Sequence, residues 1–586
     1  MAVDRLQAEI ERALRDMGVE DGVAVVLERP RNPEHGDWAT NVALTLAKPL
    51  RKAPRQIAEE LVQRIDPAGA GIRSAEVAGP GFINFRLSTD YLREGLARIV
   101  REGDGYGRSN AGQGRAVMVE FVSANPTGPL HVGHGRQAAL GDAVTELLAW
   151  AGWKVQREFY YNDAGEQINK LTRSVWARYQ QALAYDEHFG VGRGPGDADE
   201  DIVDVVLFPE DGYHGAYIGE IARELITSYG ERWKGDDSAE ALDAMRVFAV
   251  QRLRAEQNRD LDGFRVRFDE FFLESSLYTS GRVEDTIRRL RESGYVYEKD
   301  GAVWLRTTEF GDDKDRVMVK SSGHPTYFLP DVAYHVTKWE RGFHRAINVQ
   351  GSDHHGTTAR VRAGLQALGL PAGYPEWVLH QMVLVMRGGV EVKFSKRAGD
   401  YVTMRELYEE VGVDVARYFF LMRRAEAQLT FDLDLALEQS DRNPVYKVQY
   451  AHARMASIFR RAEVDPAALD PESADLSLLA HESEAELVKL LMRFPEEIEA
   501  SAEAHTPHAV CAYLEEVAGA VNSWYHAGNR DASLRVIGDA VSAEQSRARL
   551  VLSRAVQVVL RNGLAVLGIQ APERMERAEE PAPGDA

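Results

Sequence analysis

Cysteine is almost missing from this chain: Cys511 is the only one in 586 residues. A single thiol excludes both an intramolecular disulfide and a multi-cysteine zinc site, which fits a reducing cytoplasm. No apolar run approaches the length that spans a bilayer, and residues 1–24 read as an amphipathic, charged segment rather than a signal peptide. Positive charge is scarce as well. With 70 Lys and Arg against 91 Asp and Glu, the formal net charge is −21, which argues against diffuse nucleic-acid binding. It leaves room only for a nucleic acid read through a local basic surface. There is no internal repeat. The hydrophobic fraction of 44% and charged fraction of 27% are those of a water-facing globular protein long enough for three or four domains.

What the chain does have is concentrated first in Val117 to Asp142, VMVEFVSANPTGPLHVGHGRQAALGD. Val117-Met118-Val119, continued by Phe121-Val122, is a buried-strand signal. Asn125 to Pro129 is turn chemistry. Proline suits the first turn of a helix, so the pattern predicts a helix from Leu130 to Trp150. His131 and His134, three apart, then share a face and point at one ligand, and Gly133 between them lets backbone approach it. The free N–H groups and positive dipole of the helix N-terminus favour bound phosphate. Strand, turn and phosphate-facing helix is the geometry of a nucleotide site in an open α/β sheet. Two histidines three apart also occur as decoration of surface turns, so this reading asks for support elsewhere in the chain.

Residues 1–112 read as a separate α+β unit with its linker. The pattern predicts a helix over Asp4–Met17, a strand over Val23–Leu27, helices over Trp38–Lys48 and Pro54–Ile65, and a turn and strand within Ala75–Leu87. Phe82 and Asn84 project from one side of that last strand, where an aromatic and an amide suit an unstacked base. Packing in a core and at a sheet edge is the alternative, equally open. Gly103–Gly114 is the linker. After the histidine helix come a strand over Val155–Tyr161, Asn162 to Gly165 at the start of a long helix, a Gly- and Asp-rich surface insertion at Asp186–Asp211, and a largely helical Ile218–Phe272. An insertion over about 165–300 therefore separates two halves of a nucleotide-binding sheet.

The second half offers Tyr327 and Asp331, four apart, and a strand over Ala346–Val349 that ends in Gly351-Ser352-Asp353-His354-His355. Adjacent histidines diverge on a helix and the spacing is poor for a metal, so no protein-held metal is expected; Asp353 suits a helix cap or a ligand contact. Val392–Gly399, VKFSKRAG, carries the compact cation cluster Lys393, Lys396 and Arg397. It is either a solvated face or, paired with the histidine helix, a second clamp on a polyphosphate. From residue 441 the pattern turns helical, with Pro444–Arg461, Ser477–Met492, Thr506–His526 and Glu544–Leu567. Arg547, Arg549, Arg554 and Arg561 along the last helix supply the local basic surface sought above. The predicted class is a multidomain α/β protein: a Rossmann-type parallel-sheet catalytic domain over 113–440 with the helical insertion, an N-terminal α+β domain, and a C-terminal all-α bundle over 441–586.

These stretches together resemble the class I aminoacyl-tRNA synthetases, and most specifically the arginyl-tRNA synthetases of bacterial type. His131-Val132-Gly133-His134 is similar to the class's HIGH motif and Lys393-Phe394-Ser395-Lys396 to its KMSK motif, each with one mild apolar exchange. Glu120 to His134, NDAGEQ at 162–167, NPVYKVQYAHAR at 443–454, NGLAVLGIQAPERM at 562–575, GDWATN and GFINF are similar to arginyl-enzyme patterns, so the resemblance covers essentially the whole chain. A cysteinyl enzyme would want a cysteine-rich zinc site, and a small-molecule adenylyltransferase would have no use for the terminal bundle.

The resemblance implies two steps, arginyl-adenylate formation from L-arginine and ATP, then transfer of the arginyl group to the terminal adenosine of tRNA(Arg). Positioning and charge stabilisation carry both, without a protein nucleophile. It implies an ATP site of Pro129, His131, Gly133, His134, Lys393, Ser395 and Lys396, with Mg2+ arriving on the phosphates. The two histidines and two lysines are the catalytic cations and donors. It implies that Glu120, Asp331 and Tyr327 face the guanidinium, that Ser123 and Asn125 hold the amino and carboxylate ends, and that Asp353 lies nearby. It implies tRNA contacts from Phe82 and Asn84 in the first domain and from Tyr446, Arg454, Trp524 and Tyr525 in the last. A cytoplasmic monomer with no membrane contact is expected.

Overall fold

The computed structural model describes residues 2–19, 22–30, 32–163, 165–189, 207–392 and 401–575. By its contacts the chain forms two compact units, each assembled from segments far apart in sequence. One comprises residues 1–106, 454–494 and 519–559, and the other residues 107–453, 495–518 and 560–586.

The larger unit is built on a five-stranded parallel sheet. Its strands are β1 (Ala116–Glu120), β2 (Lys154–Tyr161), β3 (Glu270–Leu273), β4 (Ala346–Gly351) and β5 (Glu376–His380), in the spatial order β3-β2-β1-β4-β5. This is the doubly wound order, in which the chain reverses direction across the sheet between β1 and β4. A crevice opens there, at the carboxyl ends of the strands. Val117, Met118 and Val119 are completely buried, because helices cover both faces of a parallel sheet and neither side of the strand meets water. Three helices matter for the site: α1 (Val132–Trp150), α2 (Phe328–Glu340) and α3 (His355–Ala367). Gly141 lets α1 lie close on the chain leaving β1, since a Cβ there would fall 2.1 Å from Phe121 Cγ.

The insertion after β2 contains the helices Glu166–Phe189, Ala216–Tyr229 and Ala239–Gly263, packed on one another through Leu171, Tyr179, Ile221, Leu225, Met245 and Leu253. The helical reading of Ile218–Phe272 is corrected at its end, where Glu270–Leu273 is the edge strand β3. Its ladder with β2 overrides the local pattern. That strand lies inside the stretch 165–300 read from sequence as insertion. A second small sheet joins Val383–Arg387 in parallel to Leu429–Asp432 and antiparallel to Val390–Glu391.

In the other unit, residues 2–87 form a four-stranded antiparallel sheet backed by helices, with Ile10, Leu14, Leu46, Ile57, Leu61, Ile83 and Phe85 in its core. Two predicted elements change. The strand expected over Val23–Leu27 shrinks to Leu27–Glu28, and Trp38–Thr40, expected as helix, is a strand followed by the helix Val42–Leu50. Pairing of Trp38 with Phe85 and Thr40 with Ile83 buries both ends of that short strand and outweighs its helical surroundings. Among the described residues no helix is long and apolar enough to cross a membrane.

Candidate active site

A cavity of about 1360 Å3 opens at the crevice between β1 and β4. Its lining brings together Glu120, Ser123, Asn125, His131, Gly133, His134, Tyr327, Asp331 and Asp353 from segments more than 200 positions apart. Pro129 lies outside the lining; its carbonyl accepts a bond from the Tyr401 hydroxyl at 3.1 Å. Lys393, Ser395 and Lys396 lie outside the described residues, as does most of the Asp186–Asp211 insertion. Val392 and Tyr401, the described neighbours of the lysine-bearing segment, both line the cavity. Farther along, Val402 accepts from Val132 N–H and Met404 N–H donates to Leu130 O, so residues 402–404 are stitched to the start of α1.

The entry to α1 differs from the sequence reading in a way that matters chemically. The helix begins at Val132 and His131 is its N-cap, with extended backbone. Nδ1 of His131 accepts from the N–H groups of Gly133 (3.0 Å) and His134 (3.3 Å), while Val132 N–H is taken by Val402 and Gly135 N–H by the His131 carbonyl. The first-turn donors offered to a phosphate by the sequence reading are thus satisfied within the protein. Gly133 serves this cap, because a Cβ there would stand 2.8 Å from the His131 ring. What remains for an anion is the helix dipole and the imidazole edges. Nδ1 of His134 accepts from His131 N–H at 3.3 Å, and the two rings stack with centroids 3.7 Å apart. With Nδ1 accepting in both, each neutral ring carries its proton on Nε2 and is a donor there. Burial holds both imidazoles below the usual histidine range, so they act as neutral donors rather than cations.

The opposite end of the cavity is acidic. Asp331 sits in the first turn of α2 and Tyr327 at its N-cap, the latter 64% exposed. The carboxyl of Asp331 is pushed up to about 7 by burial first and then by the charge of Glu274, against partial offset from Arg360 and Lys338. Glu274 is buried, lines the cavity and accepts from the Tyr160 hydroxyl at 2.8 Å; burial also raises its pKa. It was missed in the sequence. The available signal was its position as an acid directly after the apolar run Phe271–Leu273 that becomes β3, the strand end where parallel sheets build sites. Asp163 of the NDAGEQ stretch fixes it by accepting from Ser275 N–H (3.0 Å) and Ser275 Oγ–H (2.7 Å).

Glu120 has partners other than a ligand. It is 4% exposed, its Oε1 accepts from Ser123 Oγ–H at 2.9 Å, and its Oε2 pairs with Lys338 Nζ at 2.6 Å. Ser123 and its neighbour Val122 have φ of 43° and 67°, a left-handed backbone that is costly for a β-branched residue. That turn brings the Ser123 hydroxyl between Glu120 and the N–H of Tyr160, from which it accepts at 3.2 Å. The helical insertion steadies the following loop: Gln257 donates to the carbonyls of Asn125 (3.0 Å) and Gly128 (2.9 Å), and Tyr217 to that of Thr127 (2.8 Å). The Asn125 amide donates to Gln167. Asp353 is solvent-exposed beside His354 and caps no helix, since α3 starts on His354 without a side-chain cap. Among the described residues no group of three or more His, Cys, Asp or Glu converges as metal ligands.

The expected nucleic-acid contacts divide by exposure. Phe82 is 41% exposed, with half-buried Asn84 on the same face of its strand. Trp524, at 2%, and Tyr446, at 7%, are corrected: both are buried and offer no ring to a base. Tyr525 is half-buried with the Arg454 guanidinium 4.5 Å above its ring. The predicted basic surface is also reduced. Arg549 is inside the core, paired with Glu484 at 2.7 Å, and acidic residues still outnumber basic ones over 441–575.

The comparisons with known proteins agree with this geometry. Residues 96–427 match the family described as tRNA synthetases class I (R), catalytic domain, so the fold and site define a class I aminoacyl-tRNA synthetase. Residues 4–87 match the arginyl tRNA synthetase N terminal domain and residues 448–575 the DALR anticodon binding domain. The arginine–tRNA ligase of Geobacter metallireducens is 53% identical over 562 residues, covering 94% of this chain and 95% of its own. That of Thiobacillus denitrificans is 50% identical, covering 98% and 99%. The solved arginyl-tRNA synthetase of Thermus thermophilus superposes with a TM-score of 0.71 at 26% identity, covering 98% of this chain and 100% of that one. The chain belongs to the arginyl-tRNA synthetases: it activates arginine with ATP and charges tRNA with it.

Proposed function

We propose that arginine lies across the cavity with its guanidinium between Asp331 and Glu274, beside Tyr327, and its amino and carboxylate ends at Ser123 and Asn125. ATP lies at the start of α1. The observation that carries this reading is the carboxyl pair: two acids share one cavity, each held toward its neutral form by burial, and Asp331 further by the charge of Glu274. A planar cation entering between them relieves both costs and can donate paired bonds that the carboxylates accept, whereas an ammonium has no planar fork to offer. Neutral citrulline leaves the acids uncompensated.

In this pose the arginine carboxylate attacks the α-phosphorus of ATP. One oxygen–phosphorus bond forms, the bond to the β-phosphate bridge breaks, and pyrophosphate leaves with the electron pair. Nε2–H of His131 and of His134 donate to phosphate oxygens, and the α1 dipole favours the charge. Lys393 and Lys396 would clamp the departing pyrophosphate, and Mg2+ would arrive on the triphosphate, bringing charge neutralisation with it. Phe82 and Asn84 meet the tRNA corner, and Tyr525 with Arg454 its anticodon end, which assigns 1–112, 113–440 and 441–586 their separate tasks. The enzyme is a cytoplasmic monomer; its single, buried cysteine suits the reducing compartment, and sedimentation tests the mass.

The test is arginine-dependent ATP–pyrophosphate exchange with tRNA present. Asp331→Asn and Glu274→Gln are expected to raise the KM for arginine by about 100-fold and 10-fold with the KM for ATP little changed, from loss of charge-assisted bonds of roughly 1.5–3 kcal/mol each. An unchanged arginine KM in both variants would overturn the assignment.

A further inference from the structure

A continuous chain of hydrogen bonds runs beneath the cavity floor and joins its two walls. It starts at Ser123, whose hydroxyl donates to Glu120 Oε1 at 2.9 Å. Lys338 Nζ donates to Glu120 Oε2 at 2.6 Å and to Asn348 Oδ1 at 2.8 Å. The Asn348 amide donates to His335 Nε2 at 2.8 Å, and His335 Nδ1–H to the Asp331 carbonyl at 2.7 Å. A carbonyl only accepts, so the His335 proton sits on Nδ1 and the ring is neutral. Burial, with help from the Lys338 charge, pushes the His335 pKa down to about 3, in keeping with that form.

The cation in this chain is Lys338, whose side chain is fully buried against the Tyr334 ring 4.2 Å away. Its ammonium donates to one carboxylate, that of Glu120, and to the neutral amide oxygen of Asn348. A buried lysine in that place has a definite consequence for a site that reads a cation. Of the five acids that line the cavity, Asp353 and Glu391 are solvent-exposed, while Glu120, Glu274 and Asp331 lie deeper. Were all three uncompensated, a guanidinium of one positive charge would have three competing anchors. Compensating Glu120 from below leaves Asp331, partly offset by Arg360, and Glu274 as the deeper acids open to the cation, and so fixes where it rests.

We propose that Lys338 is a positioning residue for arginine: it neutralises Glu120 and ties the Ser123 turn to the Asp331 turn, so that the substrate cation is directed to Asp331 and Glu274. The inference rests on the arginine pose given above. It differs from a general role in packing, because its effect is electrostatic and belongs to the arginine end of the cavity only.

The experiment compares Lys338→Met, Glu120→Gln and the double variant in arginine-dependent ATP–pyrophosphate exchange with tRNA, alongside thermal unfolding. Lys338→Met is expected to raise the KM for arginine about tenfold or more while the KM for ATP stays within about twofold, because a freed buried carboxylate draws the cation away. Glu120→Gln with Lys338→Met removes both charges and is expected to recover most of that loss, since a buried pair replaced as a unit is tolerated far better than a broken one. If Lys338→Met does not fold, the double variant decides alone: a KM for arginine within about threefold of the parent supports the proposal, and a tenfold rise overturns it. A double variant as impaired as the folded single one also overturns it, as does an equal rise in the KM for ATP. Should Asp331→Asn and Glu274→Gln leave the arginine KM unchanged while the Lys338 variants behave as expected, the pose fails and the charge compensation stands.

Discussion

Asp331 starts α2 with a carboxyl that titrates near neutrality, at about 7, because burial and the Glu274 charge both oppose its ionisation. The unfolded value is 3.8, so the empty folded enzyme holds this proton more tightly than the unfolded chain does. Ionisation therefore costs stability progressively as pH rises from the unfolded to the folded pKa, and the cost is complete above it. Arginine binding reverses the preference, since the guanidinium needs the carboxylate. Affinity for arginine is expected to fall about tenfold per pH unit below the folded pKa, with a proton released on binding near neutrality. Calorimetry in two buffers of different ionisation enthalpy checks this. A parent protein that releases no more protons than Asp331→Asn would refute the assignment.

At the scale of an element, α1 combines two duties in one residue. His131 is both the cap that satisfies the first turn and, in the proposed pose, a phosphate donor through Nε2. The duties separate by substitution. Asparagine is a good N-cap, so His131→Asn is expected to hold thermal stability near that of the parent, while His131→Ala loses about 1 kcal/mol. Both should slow arginine activation by about 100-fold, the usual cost of one preorganised donor to a developing oxyanion. Denaturation curves and exchange rates on the same preparations distinguish the two. Equal stability of the two variants would mean that the cap contributes nothing.

At the scale of the molecule, the larger unit is closed by a segment from the far end of the chain. Arg417, fully buried, pairs with Asp142 of α1 at 2.5 Å and donates to the carbonyls of Phe264 (3.1 Å) and Leu567 (3.0 Å). Gln449 donates to the Gln570 carbonyl at 2.9 Å, and His452 bonds the Pro572 carbonyl at the same distance. Ending the chain after Val566 removes three carbonyl acceptors, of which that of Leu567 is buried, and is expected to destabilise this unit by about 2–4 kcal/mol, lowering arginine-dependent exchange even though the catalytic cavity lies elsewhere. Thermal unfolding and exchange assays measure the two effects; a truncated chain as stable as the parent would show the tail to be dispensable.

The sequence by itself determined what depends on local patterning. β1 is apolar from Ala116 to Val119 because both its faces are covered, and the histidine helix and the turn before it follow from spacing and turn chemistry. Those features pointed to a nucleotide site, and the resemblance of the motifs within them added the class and the arginine-facing residues. Tertiary structure alone decided which charges are spent. Glu120 looks like a ligand until Lys338 is found 2.6 Å away, although they are 218 positions apart. Glu274 looks like an ordinary acid until the β2–β3 ladder carries it to the cavity. Arg549 and Trp524 look like nucleic-acid contacts until helix packing buries them. The physical reason is common to all four. Burial and compensation are set by the nearest neighbours in space, and for side chains anchored on different strands and helices those neighbours are fixed only when the sheet closes and the helices pack.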